Sequence, residues 1–185
     1  MSQEIVLRNG ILTLKRNLTE TFRAAEPEDR ETIVDLALLH PNARWSLVLK
    51  FQPTDDNGVI DGRPSQLVAG VTGDAGAAVL YRTSRSGKSS LTLWGTVGTD
   101  QSNEPSMAIL DQESDMFFRR DRLIPKEELR AVMAEYALSG NVLVTARLTP
   151  FDYDVDAYQV PFPEPSIKLR WIAPGVPDRS GDPPF

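Results

Sequence analysis

The chain has 185 residues, no cysteine, one histidine and a formal net charge of −6, from 20 basic and 26 acidic side chains. Without thiols there are no disulfides, Cys-based zinc or iron–sulfur centres and no thiol catalysis, and a lone His40 cannot build a multi-histidine metal site. The acidic balance lacks the Lys/Arg footprint that neutralises nucleic-acid phosphates and points instead to a basic partner.

Residues 4–15, EIVLRNGILTLK, hold two alternating apolar runs about Asn9-Gly10, which predicts a hairpin with a type I′ turn there. Residues 26–40, EPEDRETIVDLALLH, predict a helix: Pro27 suits the first turn, Glu28, Asp29 and Glu31 suit its positive end, and Ile33, Leu36 and Leu39 form the apolar stripe. Pro41 ends it, and WSLVLKF (45–51) reads as a strand. The loop PTDDNGVIDGRP (53–64) is turn chemistry throughout. Three runs follow, QLVAGV (66–71), GAAVLYR (76–82) and SSLTLWG (89–95), which predict an antiparallel meander with hairpin loops of about five or six residues.

Residues 100–116 are polar and acidic around MAIL (107–110), and Phe117 and Phe118 read as buried. IPKEELRAVMAEYALSG (124–140) is a second helix, with Pro125 at its first position, Glu127 and Glu128 in its first turn and Gly140 at its end. Leu129, Val132, Met133, Tyr136 and Ala137 fall on one face, and VLVTARL (142–148) is expected to return as a strand. From Pro150 on, 8 of the 14 prolines occur, with IKLRWIA (167–173) as a further edge strand. This predicts a domain over 1–149 and a partly ordered Pro-rich extension over 150–185.

Three motifs hint at ligands and fail on spacing. Ser86-Gly87-Lys88-Ser89 spells the end of a phosphate-binding loop, but the first glycine of G-x-x-x-x-G-K-[ST] is replaced by Arg82, and SLTLW continues as a strand where a helix must begin. Gly70, Gly73 and Gly76 are spaced G-x-x-G-x-x-G, not as a dinucleotide loop, and fit a tight Gly-Asp turn. DYDVDAY (152–158) has Ala157 and Pro163 where a calcium loop needs Gly and Glu, leaving a solvated strand edge. The carboxylate pairs Asp55/Asp56 and Glu127/Glu128 sit where acids are common for structural reasons. No catalytic, cofactor-binding or metal-binding residue is expected.

The acidic run differs in kind. From Asp100 to Phe118 there are five acids (Asp100, Glu104, Asp111, Glu113, Asp115) and no base. It serves either as a solvated guard on an edge strand or as a docking surface for a basic protein. Asp55, Asp56 and Asp61 form a second choice for that surface.

Residues 64–148 resemble the Imm1 family of bacterial immunity proteins. The likeness runs through RPSQLVAGV, then GAAVLYR with Gly76, Leu80 and Tyr81, then Leu93-Trp94-Gly95, and closes on LIPKEELRAVMAEYALSGN with the acidic-aromatic pair Glu135-Tyr136. The chain departs from the family where a proline after the helix-ending glycine and a tryptophan in the last strand are usual; it has Asn141-Val142-Leu143 and Thr145-Ala146-Arg147-Leu148. The resemblance implies a non-enzymatic antitoxin that binds and neutralises a cognate toxin, such as a nuclease or a nucleic-acid deaminase, and the basic surface expected of such a toxin suits an acidic partner.

The expectation is therefore an α+β fold, a largely antiparallel β-sheet of about six strands with two helices packed on one face. Ile33, Leu36, Leu39, Leu80, Trp94, Leu129, Val132, Met133 and Tyr136 are its expected core. The expected function is an acidic immunity protein with a basic toxin as partner; the alternative is a structural or assembly component of a larger bacterial or phage complex. No apolar run approaches the ~20 residues that span a bilayer, and MSQEIVLRNG lacks the basic start and apolar run of a signal peptide. A cytoplasmic protein with no membrane or direct nucleic-acid partner is expected.

Overall fold

The computed structural model describes residues 5–16, 20–39, 46–83, 91–111, 113–143, 145 and 148–159. The fold is α+β, a largely antiparallel sheet with two helices packed on one face. The strands are β1 (Gly10–Lys15), β2 (Thr21–Ala24), β3 (Leu47–Pro53), β4 (Ser65–Thr72), β5 (Ala75–Thr83), β6 (Leu91–Thr96), β7 (Pro105–Asp111), β8 (Met116–Arg119), β9 (Ile124–Pro125), β10 (Leu148–Pro150) and β11 (Ala157–Gln159). The helices are α1 (Pro27–Leu39), α2 (Lys126–Ser139) and the single turn α3 (Tyr153–Asp156). The large sheet has the order β10-β6-β5-β4-β3-β1-β2, with β9 pairing on β5, and every pairing is antiparallel. A second sheet, β11-β8-β7, is separate.

Alternation along the strands divides the side chains between two cores. Leu12, Leu14, Leu47, Leu49, Phe51, Leu67, Ala69 and Leu80 face α1 and α2. Val68, Ala77 and Val79 face the other way, against Ala108, Leu110 and Phe118 of the small sheet and against Phe151. The small sheet forms a third layer that the sequence does not announce.

Gly70 and Gly76 allow the sheet to be covered so closely on both faces. A Cβ on Gly76 would lie 2.6 Å from the Gly70 carbonyl oxygen and overlap Leu129 of α2. A Cβ on Gly70 would overlap the Ile109 carbonyl of β7. Gly73, at φ +57°, makes the turn between β4 and β5. The hairpin is thus the tight Gly-Asp turn the spacing predicts, shorter than the five or six residues expected of the meander loops.

Several expectations need correction. Asn9-Gly10 is not a hairpin: Gly10 opens β1, whose partners are β2 and β3, and residues 5–9 form no strand. In α1 the buried residues are Arg30, Ile33, Val34, Ala37 and Leu38, while Leu36 and Leu39 are 45% and 65% exposed. The true stripe is i, i+3, i+4, i+7, i+8, and an arginine begins it. The Arg30 guanidinium donates to the carbonyls of Arg8, Gly10 and Ala25 and lies 5.4 Å from the Phe51 ring centroid. Trp94 is only partly buried. Pro125 caps α2 from outside rather than opening it.

Of the strand expected over 142–148, Val142, Leu143 and Thr145 are not in a strand and Leu148 is, paired with Thr96; 144, 146 and 147 lie outside the described residues. DYDVDAY is a strand edge only at its end, where Ala157 and exposed Tyr158 begin the edge strand β11; Tyr153–Asp156 form α3 instead. Asp152 accepts from the Asp154 amide and caps α3, and Asp156 is buried. Residues 148–159 are built into the domain: β10 pairs with β6, β11 with β8, and Phe151 meets Phe118 edge-on at 6.2 Å. His40, Gly87-Lys88-Ser89 and IKLRWIA lie outside the described residues. The strands flanking 84–90 are antiparallel neighbours, with Thr83 paired to Leu91, so the chain from Leu91 on is a strand where the helix of a phosphate loop would run.

Candidate functional site

The five acids of the run fall at the two ends of β7, about 20 Å apart at ~3.3 Å per residue. At the Pro105 end, Asp100 Oδ1 accepts from the Ser102 amide at 2.8 Å. Glu104 lies 3.3 Å from Arg120, a pair half-exposed or more on both sides and worth little.

At the other end, Asp111, Glu113 and Asp115 share the β7–β8 turn. Asp111 shapes it, Oδ1 accepting from the Glu113 amide at 3.0 Å and Oδ2 from the Ser114 hydroxyl at 2.9 Å. Asp115 takes the left-handed conformation at φ +48°, which Asp and Asn tolerate better than other side chains. Glu113 and Asp115 are exposed. The structure thus splits the predicted run and concentrates three carboxylates in one turn.

Asp55, Asp56 and Asp61 occupy a separate loop. Asp55 Oδ1 accepts from the amides of Asn57 and Val59 at 2.9 and 2.8 Å, and Asp56 accepts from Asn9 Nδ2 at 2.8 Å. The Asp61 amide is anchored on the Pro53 carbonyl at 3.0 Å. Asp55 and Asp56 line a shallow cleft with Glu26 and Arg30, at the start of α1. Nothing places this loop on one surface with the β7–β8 turn.

A groove of about 580 Å³ runs beside that turn. The small sheet covers only part of the outer face of the large sheet, so polar residues at alternate positions of β1, β3 and β4 floor the groove. Lys15 and Lys50 stand in it with Asp111 and Glu113, and Tyr81 closes it with Tyr153, the two phenols in hydrogen-bond contact. Burial pushes the Tyr153 phenol above its ordinary pKa. Sequence reasoning misses the groove because its residues come from separate strands. The local signal is alternation, with Thr13, Lys15 and Lys50 next to buried leucines and Phe51.

The acidic-aromatic pair of α2 faces inward. Glu135 is 2% exposed; its carboxylate accepts from the amides of Leu143 at 2.6 Å and Thr145 at 2.8 Å, and from the Thr145 hydroxyl. Tyr136 reaches across to the sheet, its hydroxyl 3.0 Å from Ser65 Oγ, accepting from the Phe51 amide at 3.2 Å. Desolvation, only partly offset by these bonds, raises the Tyr136 pKa.

Tyr136→Phe should therefore lower stability by about 1–2 kcal/mol at neutral pH. The folded chain holds the Tyr136 proton above the ordinary tyrosine pKa near 10. The unfolded chain releases it there, so stability contributed below that pH is lost as pH rises. Urea titrations at neutral pH and above about pH 10 should show a smaller alkaline loss in the phenylalanine variant.

Glu127 and Glu128 are exposed in the first turn of α2, where acids complement the helix dipole. Among the described residues no three His, Cys, Asp or Glu side chains form a group able to hold a metal ion. No described helix is long and apolar enough to cross a membrane. Comparison with protein-family models, with curated proteins and with solved structures finds no match.

Proposed function

We propose that this chain is a non-enzymatic immunity protein, which binds and neutralises a cognate bacterial toxin acting on nucleic acid, a nuclease or a deaminase. The observation that carries this reading is the β7–β8 turn: three carboxylates within five residues, two of them exposed, beside an open groove on an acidic protein. An enzyme that acts on nucleic acid keeps a basic cleft to meet phosphates. An acidic projection entering that cleft excludes the substrate, and opposite charge accelerates encounter. The resemblance of residues 64–148 to immunity proteins points the same way. Asp111 holds the turn while Glu113 and Asp115 meet the partner; Asp100 and Glu104, at the far end of β7, and Asp55, Asp56 and Asp61 are peripheral.

The test is co-expression with the toxin-like domain encoded by the adjacent upstream gene. The wild-type chain should restore growth and bind that domain with a strongly salt-dependent association rate. Glu113→Gln with Asp115→Asn keeps the turn, since Asn also tolerates positive φ, and should slow association about tenfold at low salt. Glu28→Gln, in the first turn of α1, should change nothing. Continued arrest with the wild-type chain, or an unchanged association rate in the double variant, would overturn the reading.

The assembly alternative has one observation in its favour. Val6 and Leu7 are 78% and 63% exposed, within the segment 5–9 that forms no strand. A defined multimer in size-exclusion chromatography, dispersed by Val6→Asp with Leu7→Asp, would favour it over the immunity reading.

A further inference from the structure

Where the small sheet ends, strand register fixes what stands on the outer face of the large sheet. Two rows of residues cross it side by side. One holds Arg23 of β2, Thr13 of β1, Lys50 of β3 and Gln66 of β4; the other holds Thr21, Lys15, Val48 and Val68 of the same strands. Lys15 is therefore diagonal to both Lys50 and Arg23, at a backbone spacing of about 7–8 Å. Three cations share one face of a protein with six more acids than bases.

Among the described residues, none of these three side chains has an ion pair or a hydrogen bond. Lys15 and Lys50 nevertheless line the 580 Å³ groove together with Asp111 and Glu113. Asp111 turns instead to the Glu113 amide and the Ser114 hydroxyl. A cationic floor and an anionic wall thus face one space without pairing across it.

An antiparallel sheet can keep one face in water, and lysines near a sheet edge discourage pairing with another chain, so exposed cations here have a bland explanation. Two observations go beyond it. Lys50 is on β3, two strands in from the β2 edge, where no edge needs guarding. The face is also walled, by the β7–β8 turn and by the Tyr81–Tyr153 pair, and the turn carries the opposite sign.

We infer that the groove receives a segment of the toxin bearing a carboxylate, which lies over Lys15 and Lys50 while basic side chains of the toxin meet Glu113 and Asp115. This rests on the immunity reading and specifies the partner of that same site. A uniformly basic partner is repelled by the floor, and a uniformly acidic one by the wall. The groove fits a partner with both signs close together. Enzymes that act on nucleic acid have that pattern: basic side chains hold the phosphates, and a carboxylate among them holds a metal ion or moves a proton. Filling both positions blocks substrate with the acids of the turn and chemistry with the lysines of the floor. The dimensions agree. From Thr21 on β2 to Tyr81 on β5 the floor spans about 19 Å at ~4.8 Å per strand, the length of about six residues of extended chain.

The experiment measures association and dissociation rates separately, for the full chain and the toxin-like domain encoded by the adjacent upstream gene. Lys15→Gln with Lys50→Gln should raise the dissociation rate at least about tenfold. Association should stay the same or quicken, because the chain becomes more acidic. Both positions are exposed, so the thermal midpoint of the free protein should stay in place. Lys126→Gln, at the start of α2 on the other side of the sheet, removes a charge of the same sign and should leave dissociation alone. Against a toxin domain whose cleft carboxylates are replaced by amides, the double lysine variant and the wild type should dissociate at equal rates. Binding by the wild type with unchanged dissociation in the lysine variant would overturn this inference and leave the immunity reading standing. No binding by the wild type would overturn both. A homodimer that the lysine variant disperses, seen by light scattering, would put a second copy of the chain on the groove. A lysine effect that persists against the amide-substituted toxin would put a group other than a cleft carboxylate there. Either result would overturn the proposal.

Discussion

Replacing Asp156 by alanine is expected to cost the fold about 3–5 kcal/mol, read as a drop in the urea midpoint with an unchanged slope. Asp156 and Arg122 form an ion pair whose side chains are 10% and 11% exposed. The guanidinium also donates to Thr149 Oγ1 at 2.7 Å and lies 5.6 Å from the Phe151 ring centroid, while Asp156 Oδ2 accepts from the Asp152 amide at 2.8 Å. Thr96 ties the network to the sheet, donating to the Arg122 carbonyl at 2.8 Å and accepting from the Ala78 amide at 3.1 Å. Alanine leaves a buried guanidinium without its counter-charge, and that uncompensated charge dominates the cost. Arg122→Met with Asp156→Leu should accordingly recover most of the loss, because it removes both charges and keeps the volume. A double variant no more stable than Asp156→Ala would show that the hydrogen bonds, not the pair, hold this region.

Glu135→Ala is expected to be the second most damaging change, at about 3 kcal/mol. Its carboxylate accepts three hydrogen bonds from residues 143 and 145, and bonds to a charged group each contribute about 1.5–3 kcal/mol. The loss is smaller than their sum because the Leu143 and Thr145 amides regain water once the turn loosens. Hydrogen exchange distinguishes this from global destabilisation: the amides of 143 and 145 should lose protection first, ahead of those in the middle of α2. Glu135→Gln keeps one acceptor oxygen and should fall between alanine and wild type.

The readability of this fold follows from how much each element depends on its own residues. The buried face of α2 is legible because its stripe, Leu129, Val132, Met133, Tyr136 and Ala137, is wholly apolar or aromatic and all of it is buried. Its stop is legible because Gly140 adopts φ +72°, which glycine alone does cheaply. α1 misleads because its buried face begins with Arg30, which only three converging carbonyls make acceptable there. Asn9-Gly10 misleads because the turn preference is local, whereas β1 pairs with β3, about 40 residues away. The small sheet and residues 150–159 are hidden for the same reason: Phe151 and Asp156 owe their burial to β6, β8 and Arg122, none of which is near in sequence. Of the candidate site, the clustering of acids was legible. Its division by the length of β7 and the groove were not, since each depends on how distant segments are brought together.

Residues 148–159 close two open edges at once, that of β6 through β10 and that of β8 through β11, and deliver the carboxylate for Arg122. During synthesis this segment comes last among the described elements. Arg122 and Asp156 are 34 residues apart, which a ribosome covers in roughly 2 to 7 seconds at about 5–20 residues per second. For that interval the nascent chain carries two unpaired strand edges and a cation with no counter-charge, so this is the time in its life at which it is most open to mispairing with another chain.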